Sequence, residues 1–294
     1  MRSFLVLAVV GLVAQLVDGS LGMAYGVTSQ SLLLAVGISP ALASAAVHIA
    51  EVGTTAASGV SHWRFGNVDW SKVTWLAIPG AIGAFFGAVV LASVITAEAA
   101  EPLVAIFLFG LGVFILARFS FRRHEKPVRE RPVPRGLLAP LGLVAGFLDA
   151  AGGGGWGPIS TPTLLSSGRM QPRKIVGTVD TSEFLVALAA SIGFLLTLSF
   201  ADIPWQVAGA LLIGGVIAAP VAAYIVRILP ARILGTAVGG IILLTNAKTF
   251  SEAIGVGGGL AIVLYVLILV VWAAALGFSI MVNRQEKATD SRVV

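Results

Sequence analysis

Six ionisable residues of this chain lie in stretches that are otherwise apolar: Asp18, His48, Glu51, Asp149, Asp180 and Glu183. A carboxylate at membrane depth is costly to keep, and it serves as a proton relay, a counter-charge or part of an ion pathway. Glu51 and Glu183 are candidates for proton coupling, with His48 one helical turn before Glu51 and Asp180 one turn before Glu183. The alternative is a protonated or hydrogen-bonded Glu that ties helices together. Asp18 and Asp149 differ, because each stands before a glycine-rich break: Asp18-Gly-Ser-Leu-Gly-Met-Ala-Tyr-Gly26 and Asp149-Ala-Ala-Gly-Gly-Gly-Gly-Trp-Gly-Pro158. A carboxylate there can accept exposed backbone N–H groups and fix the bend, which is a structural role.

The breaks themselves carry the second chemistry. Irregular backbone at membrane depth is tolerated only where it is packed in protein or lines a polar cavity. A helix that restarts after each break, near residues 25–30 and 158–163, offers amide donors and the positive end of its dipole, an anion site that needs no Lys or Arg. Pro158 suits the first helical position. Candidate substrate-binding residues are Gly22, Tyr25, Gly26, Thr28, Ser29 and Gln30 at the first break. At the second they are Gly153, Gly154, Gly155, Trp156, Gly157, Ser160 and Thr161, with Thr163 close behind. The glycines would let a ligand touch the backbone; alternatively they only let the chain bend and pack.

The elements that position these groups form two copies of one unit. Laying residue 11 on residue 142 pairs Gly11-Leu-Val-Ala14 with Gly142-Leu-Val-Ala145, Asp18 with Asp149, Gly22 with Gly153, Tyr25 with Trp156 and Gly26 with Gly157. With one residue inserted, Glu51 falls on Glu183. Interrupted apolar segments in corresponding positions of two halves point to a transporter's substrate site. Residues 4–17 and 23–37 are arms of only about 20–23 Å, short of a hydrocarbon core of roughly 30 Å, and are expected to form a re-entrant hairpin. Residues 137–168 repeat it. Full spans are expected at 41–61, 73–93, 102–118, 176–200, 205–228, 233–249 and 258–282.

Positive-inside bias puts the Arg64/Lys72 loop, the basic stretch 118–135, the Arg169–Lys174 loop, the Arg227/Arg232 turn and the C-terminus in the cytoplasm. The hairpins then enter from opposite faces, so the halves are inverted; a first segment that crossed once would make them parallel. The expected fold is an all-α polytopic membrane protein with two inverted repeats, each a Gly-broken re-entrant hairpin plus three spans, and one extra C-terminal span. The first repeat covers 1–117, the linker 118–135, the second repeat 136–250, and the extra span and tail 251–294. The linker could instead bind anionic lipid or a partner.

Composition excludes other classes. Of 294 residues 57% are hydrophobic and 11% charged, far below the charged share of about 25% in soluble domains. Cys is absent, which removes thiolate metal sites, haem attachment and Cys nucleophiles. The three His, at 48, 62 and 124, have no His-Glu-x-x-His spacing, and Gly152–Gly155 lacks the Lys-Ser/Thr of a phosphate loop. No enzyme activity, cofactor or bound metal is expected. The net charge of +5 sits beside apolar runs, which argues against nucleic acid. Residues 1–20 have only Arg2 as a charged start and no clean cleavage motif, so they are expected to stay in the mature chain.

The duplicated start, Ser58-x-x-x-His62 followed by Gly66-Asn-Val-Asp-Trp70, the Pro79-Gly-x-x-Gly83-x-x-x-Gly87 span and the basic linker together resemble the TauE/SafE family of sulfite and organosulfonate exporters. The resemblance covers nearly the whole chain. It implies a multi-pass permease of the bacterial inner membrane that exports small sulfur-containing anions, such as sulfite, sulfoacetate or other C2 sulfonates, driven by an ion gradient. The working unit is a monomer or a homodimer in the lipid bilayer. The first break lacks the Gly152–Gly155 run and the second half has no match to His62, so the two half-sites are not equivalent. Two rivals stand beside this expectation. One is a divalent-cation permease with Asp18, Glu51, Asp149, Asp180 and Glu183 as ligands; the other is a membrane assembly subunit docked through its linker.

Overall fold

Where water cannot satisfy the backbone, each N–H and C=O must be bonded within its own segment, and helices do this. The computed structural model describes residues 2–121, 131–225 and 231–290, and no strand occurs among them. The first half comprises α1 (Arg2–Leu21), α2 (Tyr25–Ala35), α3 (Pro40–Arg64), α4 (Trp70–Val89), a π-helical turn (Val90–Val94) and α5 (Ala97–Ser120). The second comprises α6 (Arg135–Gly152), α7 (Trp156–Ser167), α8 (Pro172–Thr197), α9 (Trp205–Ile225) and α10 (Ala231–Ala253), and α11 (Gly259–Asp290) follows. Residues 122–130, with most of the linker and His124, and 226–230, with Arg227, lie outside the described residues.

Seven of these helices are long and apolar enough to cross a membrane: Phe4–Leu21, Trp70–Val94, Glu98–Ser120, Arg135–Gly152, Pro172–Thr197, Trp205–Tyr224 and Gly259–Gln285. The set differs from the expected spans. α1 and α6 qualify because they run past the expected arm ends, through Asp18 and Asp149, for 20 and 18 residues. α3, at 25 residues, is long enough at about 37 Å, but His48, Glu51 and its buried Ser and Thr lower its hydropathy. In α10 the apolar stretch is Gly235–Ala247. The basic stretch expected from residue 118 begins as the last turn of α5, and α11 carries on through the charged residues 284–287.

Glycine sets the helix pairing. A Cβ on Gly146 of α6 would meet the carbonyl of Gly80 on α4, and one on Gly142 would meet Leu76 O. Along the same seam Gly83 and Gly87 of α4 touch the backbone of Leu143 and Phe147. On the other side of the molecule, Gly11 of α1 lies on Leu211 of α9, and Gly214 on Ala8. Gly235 and Gly239 seat Phe119 and Leu116 of α5 against α10. Small residues permit such close backbone approach between apolar helices. Gly146→Leu is therefore expected to cost about 1–3 kcal/mol or to block assembly. Gly136→Leu is the control, because nothing lies within 4 Å of its Cβ position. Thermal midpoints in detergent check the pair; equal midpoints would refute the seam.

Direction follows from the contacts. α1 and α3 run with α9, Gly11 facing Leu211, Gly19 facing Ala222 and Gly53 facing Leu212. α2 runs back along α3, with Gly26 beside Glu51 and Gln30 Nε2 donating to Pro40 O at 3.1 Å. Hence α1 and α2 form a hairpin. α6 and α7 form another by the same logic: α6 and α8 run with α4, whereas Trp156 Nε1 at the start of α7 donates to Val179 O of α8 at 3.0 Å. α3 and α8 are antiparallel, because His48 packs on Phe194 at 6.0 Å between rings while Ser58 bonds Asp180.

Candidate functional site

The first N–H groups of a helix have no partner within it. At α7 a carboxylate from the preceding helix takes two of them: Asp149 Oδ1 accepts from Gly155 N at 2.7 Å and from Trp156 N at 3.0 Å. At α2 Asp18 Oδ1 accepts from Tyr25 N at 3.3 Å. These reach-over bonds explain why the arms stay helical past the aspartates. They also start α7 at Trp156, so that Pro158 is its third residue rather than its first. A missing N–H is equally harmless there, within the unpaired first turn. The positive end of each short helix is thus faced by the protein's own carboxylate.

The two hairpin tips touch. The Cβ position of Gly26 lies 3.1 Å from Gly154 Cα, and that of Gly157 lies 2.7 Å from Gly22 O. Gly154 has φ +140 and its Cβ would meet Val27 N, so only glycine fits that position. Thr161 Oγ1 donates to Gly22 O at 2.6 Å, and the Gln30 side chain lies over Gly153. The close backbone approach expected for a ligand is taken by the backbone of the other half. Tyr25 and Trp156, an aligned pair, are buried anchors: Tyr25 Oη donates to Leu211 O at 3.2 Å, as Trp156 does to Val179.

What the tips leave unpaired is hydroxyl. Ser29 and Ser160 are fully buried, fall on each other in the repeat alignment, and have no hydrogen-bond partner; Thr28 Oγ1 is unpartnered too. Helical Ser and Thr commonly donate to the carbonyl four residues back, as Thr163 does to Ile159 and Ser182 to Thr178. Leaving such a group unmade and buried costs about 1–3 kcal/mol.

Around the tips stand two clusters. His48 Nε2 is 3.1 Å from Asp149 Oδ2 and 3.9 Å from Glu51 Oε2, while its Nδ1 is 2.8 Å from Ser44 O. Donation from both nitrogens suits an imidazolium. Ser44 Oγ donates to Ala150 O at 2.9 Å, which fastens α3 to the end of α6. Glu51 has no hydrogen-bond partner for either oxygen, and its Oε1 lies 3.3 Å from the Cβ position of Gly26, at the tip contact. The second cluster joins Asp180 and Glu183 of α8 to Asp18 of α1, and Ser58 Oγ donates to Asp180 Oδ1 at 3.0 Å. In each cluster the ligand atoms lie within 4.8 Å of one another. These two trios are the groups among the described residues that could hold a metal ion.

Spacing within a helix pointed to His48 with Glu51 and to Asp180 with Glu183, but not to the third member, which comes from the other half. The signal was present in the alignment, where 18 falls on 149 and 51 on 183, but only antiparallel packing of α3 on α8 turns it into an exchange. His62 is buried with Nδ1 3.2 Å from Asn67 Nδ2, so it faces the interior rather than an aqueous edge. Four basic groups outside the buried region, Lys72, Arg131, Arg169 and Lys174, line a separate cavity of about 270 Å³ together with Asp69. Partial burial opposes ionisation of Asp69, yet bonds from Ser71 and the charge of Lys72 hold its carboxyl below the usual range.

Comparison with known proteins places the chain in a family. The family model described as Sulfite exporter TauE/SafE matches residues 7–249. The probable membrane transporter protein YtnM of Bacillus subtilis (strain 168) is 50% identical over 281 residues, 95% of this chain and 93% of that protein. The probable membrane transporter protein YdhB of the same organism is 28% identical over 240 residues, 81% of this chain and 95% of its own length. No solved structure matches the chain. The matched region contains both hairpins and both clusters, and the chain belongs to the TauE/SafE sulfite exporter family of membrane transporters.

Proposed function

We propose that this protein is a secondary transporter of a bacterial cytoplasmic membrane that exports a small sulfur-containing anion, sulfite or a C2 sulfonate such as sulfoacetate, with proton coupling through Glu51. The observation that carries the anion site is the aligned pair of buried, unpartnered hydroxyls, Ser29 and Ser160, each one turn into a short helix whose tip touches the other's. Neutral donors of this kind bind an oxyanion without a buried Lys or Arg. The antiparallel pairing of α3 with α8 supports inverted repeats and re-entrant hairpins, and the loop basic residues support a cytoplasmic C-terminus. The Lys72–Lys174 cavity would then gather anions on the cytoplasmic side.

The test is sulfite and sulfoacetate flux in proteoliposomes for Ser29→Ala with Ser160→Ala. Transport is expected to fall at least about tenfold, the effect of losing roughly 1.4 kcal/mol of binding. The thermal midpoint is expected to hold or rise, because an unsatisfied buried hydroxyl is removed. Unchanged flux in the double variant would refute the anion site. Two buried carboxylate clusters favour a second reading, a divalent-cation permease; it requires cation flux without any anion present.

A further inference from the structure

We propose that Asp18, Asp180 and Glu183, with Ser58 and Gln15 beside them, form a binding site for a hard inorganic cation such as Na⁺ or Ca²⁺. The argument begins with the repeat. His48 and Asp180 hold corresponding places, each one turn before an aligned Glu. In the first cluster an imidazole therefore stands between Glu51 and Asp149, whereas in the second all three members are carboxylates. Among the described residues the one basic group paired with any of these buried acids is His48. Three carboxylates gathered away from water repel one another unless a cation or protons accompany them.

Two further side chains point to a ligand. Asp180 Oδ2 is buried with no partner, although its other oxygen is held by Ser58. Gln15, one turn before Asp18 on α1, is fully buried with both amide atoms unpartnered. Its Nε2 is 3.5 Å from the Cβ position of Gly19, and Ser58 Oγ is 3.6 Å from the same point. The residue aligned with Gln15 is Gly146, which is consumed in helix packing, so this amide belongs to the second cluster alone.

Every donor in the set is oxygen, as hard cations require and softer transition metals do not. Ligand atoms that all lie within 4.8 Å of one another can be spanned by one ion bound at about 2.3–2.6 Å, as Ca²⁺ is. Cation binding itself does not depend on the anion reading; use of the cation as a second coupling ion beside the Glu51 proton rests on that reading.

The experiment uses full-length protein in detergent, without any sulfur anion, in choline buffer of fixed pH and ionic strength. Radioactive Na⁺ and Ca²⁺ binding and the thermal midpoint are followed together. One saturable site per chain is expected for one of the two ions, with a midpoint that rises with occupancy. Glu183→Gln is expected to weaken it by at least about tenfold, since even supporting groups of an ion site are worth 10–100-fold. If that variant does not fold, Gln15→Met, which keeps the length and removes the amide, is expected to weaken it measurably. No saturable binding of either ion, or binding unchanged in both variants, overturns the site. Sulfite stabilisation, read separately with the Ser29 and Ser160 variants, reports on the anion reading alone.

Discussion

Asp149→Ala is expected to destabilise the protein by about 3–5 kcal/mol, several times more than Asp18→Ala, although the two residues are equivalent in the repeat. Asp149 accepts two backbone bonds at 2.7 and 3.0 Å and faces His48 at 3.1 Å. Its removal takes from the buried His48 its hydrogen-bonded carboxylate and uncaps α7. Asp18 accepts one bond, at 3.3 Å, and sits among other carboxylates. Losing its cap costs about 1 kcal/mol, and part of that is returned when like charges are thinned. Thermal or SDS unfolding of the two variants side by side checks the ranking. Equal losses would mean that the His48 contact contributes nothing and that capping alone holds both breaks.

The second large effect concerns transport. Glu51→Gln is expected to abolish flux driven by a pH gradient while the fold survives. The amide is nearly isosteric, and Glu51 has no hydrogen-bond partner to lose. Its position, 3.9 Å from His48 and against Gly26 where the tips meet, couples a proton on its carboxylate to the pairing of His48 and to the contact between halves. The measurement is anion efflux from proteoliposomes after an imposed pH jump, with the thermal midpoint as the control for folding. PH-driven flux at the wild-type rate in the variant would remove Glu51 from the mechanism.

Much of the scaffold was legible because glycine and charge are conspicuous in an apolar chain. The two breaks and the C-terminal helix could be placed by residue type and alignment. The arm ends were not. Asp18 and Asp149 read as stops, yet both remain helical because their carboxylates reach six or seven residues forward. α3 was legible as a span of mixed character, and its polar face is what keeps its hydropathy low. The site was harder. His48 and Asp149 are 101 positions apart, beyond any spacing rule, and they meet only where α3 packs against the end of α6. The glycines illustrate a second limit, since composition says that backbone comes close at Gly154 but not what comes close; the neighbour is Gly26 and Val27.

The exchange of aspartates between halves has an evolutionary consequence. Neither half carries a complete cluster: residues 40–64 need Asp149, and residues 172–197 need Asp18. Under the inverted-repeat reading, a half-length ancestor would have closed its sites by pairing with a second, oppositely inserted copy of itself. The replacement that distinguishes the clusters today, histidine at 48 against aspartate at 180, is one that an identical pair could never have held on one side alone.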